Sequence, residues 1–470
     1  MNNTLLTFSD QISFSFADIK EICGGVWQNE PKDQTVKLSS ISSDSRNFDA
    51  DIFVALKGES FDAHKFLHQV ADRSKLIFVE TIDKTVKATQ LKVTNTLTAY
   101  QDLANAHRQK LLNTQIIGIT GSCGKTSTKE MIAAVCEYHY GKEAVYFTQA
   151  NTNNLIGAAQ NLLKVSPLQK IAILELGTNA PGEIKRLTEI TEPDIRIITN
   201  IGHGHLEGLN DIEGVSYEKA AILSTNLKTT QHTIVNQSCL KFLPVKKFQE
   251  VHSLLTYGLQ SDSDFKVIPS KQTWASSNFN VKHTNQSYSV SWEISGIHMM
   301  ENAGSAFAVA KILSIDFSKV TEALSAFKLP GMRMRSEKVA EVTVLNDAYN
   351  ANPESMKALI IWLSELDINQ KNLHLVLGDM LELGDEGPKL HSDMIDFCHK
   401  RLPKIKLYLV GEIFNELKLE KPIQKFSDSE VAAAKIVPQI NTDDILILKG
   451  SRGTRLEKIE QYLKDALCLK

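Results

Sequence analysis

The stretch "IIGITGSCGKTSTKEMIAA", Ile116 to Ala134, constrains the fold more than any other part of the chain. Ile116 to Ile119 read as a buried strand, Thr126 onward has helix-like spacing, and a turn of small residues joins them. Similar alternation recurs in "IAILEL", "GEIKRLTEI", "IRIITNI" and "VSYEKAAIL", the mark of a doubly wound parallel sheet in an α/β protein. At a strand-to-helix turn of this kind the backbone N–H groups and the helix N-terminus can receive an anion. Gly121, Ser122, Cys123, Gly124, Lys125 and Thr126 would form that cradle, Lys125 against the outer phosphates of a nucleotide and the Thr126 hydroxyl on Mg²⁺. The spacing departs from G-x-x-x-x-G-K-[ST], because Ile119 stands where the first glycine belongs; a shortened T-G-x-x-G-K-T is present. No G-x-G stands in the loop, which excludes a dinucleotide fingerprint and leaves an ordinary glycine-rich turn as the alternative.

A length of 470 residues suggests three domains at the usual size of about 150 each. A small mixed α/β unit is expected over residues 1–95, a parallel-sheet unit over 96–328 and a Rossmann-like unit over 329–470. The second boundary falls at "KLPGMRMR", Lys328 to Arg335, which reads as a hinge. Between Ser261 and the helix "NAGSAFAVAKIL", polar and apolar residues alternate, so an antiparallel patch should close the middle unit. Lys plus Arg (52) nearly balance Asp plus Glu (55), which leaves no broad positive field for nucleic acid. The first twenty residues lack a basic segment followed by an apolar core, and no apolar run reaches about 18 residues, so neither export nor membrane insertion is expected. Six scattered cysteines without C-x-x-C spacing point away from disulfides and zinc and toward a reducing cytoplasm.

A phosphate site needs hard oxygen ligands for its metal at the carboxyl ends of neighbouring strands. Glu175 ends one such strand, and Asn200, His203 and His205 follow another. Lys219, in "SYEKAAI", is harder to place. Its ammonium would be repelled by Mg²⁺, and the simplest reading is a solvated helix lysine paired with Glu218 or another acid.

The motifs "TGSCGKTS", "NTNNLIG", "LELGTNAPGEI", "HLEG", "EKAAI", "GIHMMENAGSA", "NDAYNANPESM", "LGDMLELG" and "LKGSRG" together resemble the Mur ligases of peptidoglycan synthesis. The likeness spans nearly the whole chain. It is strongest to the branch that joins D-alanyl-D-alanine to UDP-N-acetylmuramoyl-tripeptide. The resemblance implies an N-terminal domain for the UDP-sugar, a central ATPase and a C-terminal Rossmann-like lid, acting as a monomer. It places Ser43, Asp44, Ser45 and Arg46 near the uridine diphosphate, and Asn153 and Asn154 near the muramoyl-peptide. Lys125, Thr126 and Ser127 would serve ATP, with Thr126, Glu175 and His205 on two Mg²⁺ ions. Lys219 matches a lysine that the family carries as a carbamate, which turns a cation into an oxygen ligand. His298 and Asn302 match the adenine-side pair, and Asp347 the ribose contact. Arg333, Tyr349, Asn350 and Asn352 would lie near the phosphates or the incoming dipeptide. Met299 stands where many relatives have asparagine, and "GMRMRSEK" is looser than the usual arginine motif.

The implied reaction forms an acyl-phosphate from the tripeptide carboxylate and ATP, then an amide with the dipeptide amine. A general base is required, and no residue is identified for it. Other ligases of the superfamily, and a nucleotide switch that hydrolyses ATP to change shape, are the rival readings. Closure of the lid about residues 328–335 is expected once the nucleotides are bound.

Overall fold

The computed structural model describes residues 6–7, 13–46, 48–223, 232–329, 334–419 and 422–468. Short apolar segments at Leu6–Thr7, Val26–Gln28, Ser40–Ser42, Ile52–Val54, Leu76–Val79 and Thr89–Lys92 build a six-stranded mixed sheet. Helix α1 (Thr96–Lys110) leads out of it, capped by the Asn95 side chain, which accepts from the Thr98 N–H. Its buried face carries Tyr100, Leu103 and Ala104.

Then come β1 (Gln115–Thr120), α2 (Lys125–Tyr140), β2 (Val145–Phe147), α3 (Leu155–Lys164), β3 (Ile171–Glu175), α4 (Glu183–Thr191), β4 (Ile195–Ile198), α5 (Ile212–Ala220), β5 (His232–Asn236) and β6 (Leu255–Gly258). β3 and β4 are buried along their whole length, as expected where helices cover both faces of a parallel sheet. The sheet continues through β7 (Phe265–Gln272), β8 (Ser277–His283) and β9 (Gln286–Trp292), followed by helix α6 (Ile297–Ile312). Its order is β2-β3-β1-β4-β5-β6-β7-β8-β9. Pairing is parallel through β7 and antiparallel for β8 and β9. The alternating segment is thus an extension of the main sheet, β7 being the strand that changes partner direction.

The third unit holds β10 (Arg335–Val339), β11 (Val342–Asp347), α7 (Pro353–Glu365), β12 (Leu373–Gly378), α8 (Gly387–Arg401), β13 (Lys406–Val410), β14 (Gln424–Phe426) and β15 (Ile445–Lys449). They pair in the order β10-β11-β15-β12-β13-β14, only β10 running antiparallel. β10 starts inside the stretch read as a hinge; residues 330–333, and with them Arg333, lie outside the described residues.

One apolar core runs from the N-terminal sheet through the central sheet to Met356, Leu359 and Ile360 of α7. Trp362 of α7 is fully buried and packs on Trp274, in the β7–β8 turn, with ring centroids 5.3 Å apart. The Trp274 indole N–H also donates to the Ser336 hydroxyl at 3.0 Å. Burying a ring of this size contributes on the order of 3 kcal/mol, which favours docking of the third unit on the second. Separate apolar clusters lie beneath the two terminal sheets.

Candidate active site

Strand order reverses on either side of β1, and ligand crevices form beyond the carboxyl ends of strands at such a point. A cavity of about 690 Å³ opens there, lined by the turn after β1, residues at and beyond the ends of β3 and β4, the start of α6, and residues at and beyond the ends of β11 and β15.

The glycine-rich loop after β1 is held from behind. Gly124 has φ +82°, and a methyl group there would lie 3.0 Å from the Asn302 carboxamide, so backbone conformation and close approach both require glycine. α2 begins at Lys125 without a side-chain cap, leaving the positive end of a 16-residue helix toward the cavity. The Lys125 ammonium donates to its own loop at Gly121 O, 2.6 Å away. The Ser122 hydroxyl donates to Gly202 O (2.9 Å) and accepts from Gly202 N–H (3.1 Å), and Cys123 N–H donates to Asn200 Oδ1 (3.2 Å). Burial pushes the Cys123 thiol up to about 12, so it stays protonated near neutrality and is no nucleophile.

Oxygen donors gather beside the loop. The Thr126 hydroxyl donates to Glu175 Oε2 at 2.8 Å, and Asn153 Nδ2 donates to Glu175 Oε1 at 2.9 Å. His205, with φ +63°, has Nδ1 2.6 Å from a Glu382 carboxylate oxygen. Burial holds its imidazole below the ordinary histidine value against the opposing pull of Glu382, leaving a neutral ring suited to ligate a cation. Among the described residues no three His, Cys, Asp or Glu side chains converge on a ready-made metal centre.

Lys219 is where the simplest sequence reading fails. The side chain is fully buried rather than solvated, and its Nζ has no hydrogen-bond partner among the described residues. Glu218 does not neutralise it as a surface partner would. That carboxylate instead accepts from Gly182 N–H and Ile184 N–H at the start of α4, both at 2.7 Å, and from the Thr178 hydroxyl at 3.2 Å. Burial first, then the nearby Lys125 charge, drive the Lys219 amine well below its ordinary value. It is a buried amine without a hydrogen-bond partner among the described residues, near enough to Lys125 and His205 for their charges to act on one another.

The third unit brings Asp347, Tyr349, Asn350 and Asn352 to the same cavity. Asp347 accepts from Lys449 Nζ at 2.7 Å and from Met334 N–H at 3.2 Å. Lys449 also donates to Asn350 O at 2.8 Å. Asn352 caps α7, its side chain accepting from Ser355 N–H, and Asn154 caps α3 in the same way through Gly157 N–H. His298 and Asn302, near the start of α6, line the same cavity. The His298 Nδ1 has no partner among the described residues, and burial drives its pKa down to about 4, leaving a neutral flat ring. Ser43, Asp44, Ser45 and Arg46 do not line this cavity. They follow the Ser40–Ser42 strand, where Asp44 accepts from the Arg46 guanidinium at 2.9 and 2.5 Å. Glu183, Glu354, Glu382 and Lys449, which the sequence reading left aside, also line the cavity.

Comparison with known proteins identifies the family. Residues 119–310 match the model of the Mur ligase middle domain, and residues 332–452 that of the Mur ligase glutamate ligase domain. The chain belongs to the Mur ligase family. It is 31% identical to UDP-N-acetylmuramoyl-tripeptide--D-alanyl-D-alanine ligase of Bacillus subtilis, covering 96% of this chain and 98% of that one. To the Synechocystis enzyme of the same name it is 30% identical, over 92% and 93%. Among solved structures, MurF from Acinetobacter baumannii superposes with a TM-score of 0.87 at 27% identity, covering 97% of this chain and 99% of that one.

Proposed function

We propose that this chain is an ATP-dependent ligase that joins D-alanyl-D-alanine to UDP-N-acetylmuramoyl-tripeptide, giving the pentapeptide precursor of peptidoglycan. Full-length similarity to enzymes named for that reaction supports it. The observation that carries it is the single cavity in which a phosphate loop, a cluster of oxygen donors and the third unit's polar residues meet.

The tripeptide carboxylate is a poor acyl donor until its oxygen becomes a good leaving group. Its attack on the γ-phosphorus of ATP gives an acyl-phosphate and ADP; attack by the dipeptide amine then expels phosphate and forms the amide. The first step brings two anions together, with repulsion of several kcal/mol in a poorly screened site. The Lys125 ammonium and the amides at the start of α2 spread the charge that builds on the transferring group. Neutral His298 offers a flat face for the adenine, beside Asn302. Asp347, held by Lys449, is placed to accept from ribose hydroxyls. Asn153 and Asn154 sit on the muramoyl-peptide side, and Tyr349, Asn350 and Asn352 on the dipeptide side. Ser43 to Arg46, outside the cavity, would hold the uridine diphosphate end of a long substrate.

The donor set fits Mg²⁺. The Thr126 hydroxyl, Glu175 and neutral His205 are hard or intermediate ligands in one neighbourhood, and buried Lys219 supplies what they lack. A neutral amine attacks CO₂, forming an N–C bond as one C=O π pair moves to oxygen. Loss of the amine proton leaves a carbamate, whose single negative charge is shared by two oxygens that can both face a cation. Two Mg²⁺ ions held there would neutralise phosphate charge as in other phosphoryl transfers. The protein is proposed to act as a cytoplasmic monomer; among the described residues no helix is long and apolar enough to cross a membrane.

A coupled phosphate-release assay tests the reading. Release is expected only when ATP, the tripeptide nucleotide and D-alanyl-D-alanine are all present. Equal release without the two peptides would favour the switch reading instead.

A further inference from the structure

Glu354 belongs to the third unit, on the first turn of α7, yet its carboxylate is seated on the second. Its Oε2 accepts from His203 N–H at 2.9 Å and its Oε1 lies 2.6 Å from His203 Nδ1. It also lies flat on the neighbouring residue: a methyl group at Gly202 would meet Glu354 Cδ at 2.4 Å and Oε2 at 2.6 Å. Only glycine leaves room for the contact.

Gly202 is gripped from its other side by the phosphate loop. The Ser122 hydroxyl bonds both its carbonyl and its N–H, and Ser122 N–H donates to Asn200 O at 3.0 Å. An unbroken chain of hydrogen bonds therefore runs from the phosphate loop, through the turn 200–203, into the first turn of α7. It links parts of the sequence more than two hundred positions apart.

The character of the terminal contact suits a reversible latch. A carboxylate on a backbone N–H is a charge-assisted bond, stronger than a neutral one. The Glu354 and His203 side chains keep 26% and 33% of their exposure, so water can replace the contact at modest cost when the units part. The contact between Trp274 and Trp362 holds α7 at another point.

We propose that Glu354 is a positioning residue, a latch that docks the third unit only onto a correctly seated phosphate loop, by reading the Gly202–His203 turn that Ser122 holds. The inference rests on the ligase reading for its kinetic consequences. Phosphates filling the loop fix Ser122, Ser122 fixes the turn, and the turn receives the carboxylate. Nucleotide binding thereby precedes closure and favours it.

The test uses the full chain as E354A, E354Q, H203A, G202A and the E354A/H203A double variant. The readouts are melting temperature, affinity for magnesium AMPPNP by calorimetry, small-angle scattering with AMPPNP and the tripeptide nucleotide, and kinetics with the dipeptide varied. E354A and G202A are expected to melt near the wild-type temperature and bind AMPPNP within about threefold of it, yet fail to contract. Their KM for the dipeptide should rise, and kcat/KM fall, by about tenfold or more. E354Q keeps an acceptor for His203 N–H and should recover part of the loss. E354A/H203A should be no worse than E354A, since both remove one interaction. Contraction of E354A equal to wild type, or losses that multiply in the double variant, would overturn the latch. Failure of the unaltered chain to form an amide would overturn the ligase reading alone, because scattering and calorimetry still decide on the latch.

Discussion

Two buried basic side chains, one in the central unit and one in the third, are handled in opposite ways. His374, near the start of β12, is fully buried, with Nε2 2.9 Å from Asp444, Nδ1 3.1 Å from the Tyr408 hydroxyl, and Lys406 Nζ at 3.0 Å. Lys219 is as deeply buried, and its Nζ has no hydrogen-bond partner among the described residues. An unpaired buried charge costs several kcal/mol, and burial accordingly drives the amine's pKa well below its ordinary value. A satisfied buried network specifies a fold, whereas an orphaned buried polar atom carries a cost that calls for a reason, and binding a ligand is one such reason. His298, with its unpartnered Nδ1 at the cavity wall, belongs with Lys219.

The comparison can be broken hardest at the phosphate loop. Lys125→Ala should lower kcat by at least about a thousandfold, with an unchanged circular dichroism spectrum; near-normal turnover would remove its phosphate role. Lys219→Met replaces the orphaned amine by an apolar chain of similar length. It should reduce activity to below about 1% while leaving the melting temperature unchanged or raised. A ¹³C-carbamate resonance should form in wild type under labelled CO₂ and be absent from the variant; full activity in Lys219→Met would remove the carbamate proposal.

A third effect comes from several imidazoles at once. Burial brings His107 and His298 down to about 4 and lowers His205, His374 and His391 as well. Each binds its proton more readily unfolded, with the ordinary value 6.5, than folded. Stability from His107 and His298 is therefore complete above about pH 6.5 and is lost as pH falls toward about 4, by about 1 kcal/mol each between pH 7 and 5.5, and the other three act in the same direction. Urea midpoints at those two pH values would show it, and equal midpoints would contradict it. The smallest effect is expected from Asp444→Asn, which weakens the satisfied network. It should cost on the order of 1.5 kcal/mol of stability and leave kcat/KM within about twofold. A larger loss of activity than of stability would erase the distinction between the two regions.

What could be read from the sequence depended on distance along the chain. The strand, loop and helix around Lys125 are contiguous, and local spacing alone exposed them. Glu175 and His205 were visible as polar residues at the ends of apolar runs, because strand ends in a parallel sheet face one crevice. β10 was hidden because "RSEKV" carries charge along an edge strand paired on one side only, and its first residue falls in a stretch that reads as a turn. The cross-unit partners were harder still. Glu354 lies 151 positions from His203, and nothing in "NANPESM" says that this acid meets that turn. Glu382 and Lys449 likewise acquire meaning only once the third unit is docked. Lys219 looked solvated because its helix carries no strong apolar stripe, and burial arises from the elements that surround it.

Of the four tryptophans in the chain, Trp274 and Trp362 sit with centroids 5.3 Å apart on different units. Indoles this close share their excited states, so near-ultraviolet dichroism should carry a paired band whose size tracks the gap between the units. The pair therefore serves as an optical ruler for the distance between the two units, readable without any attached label.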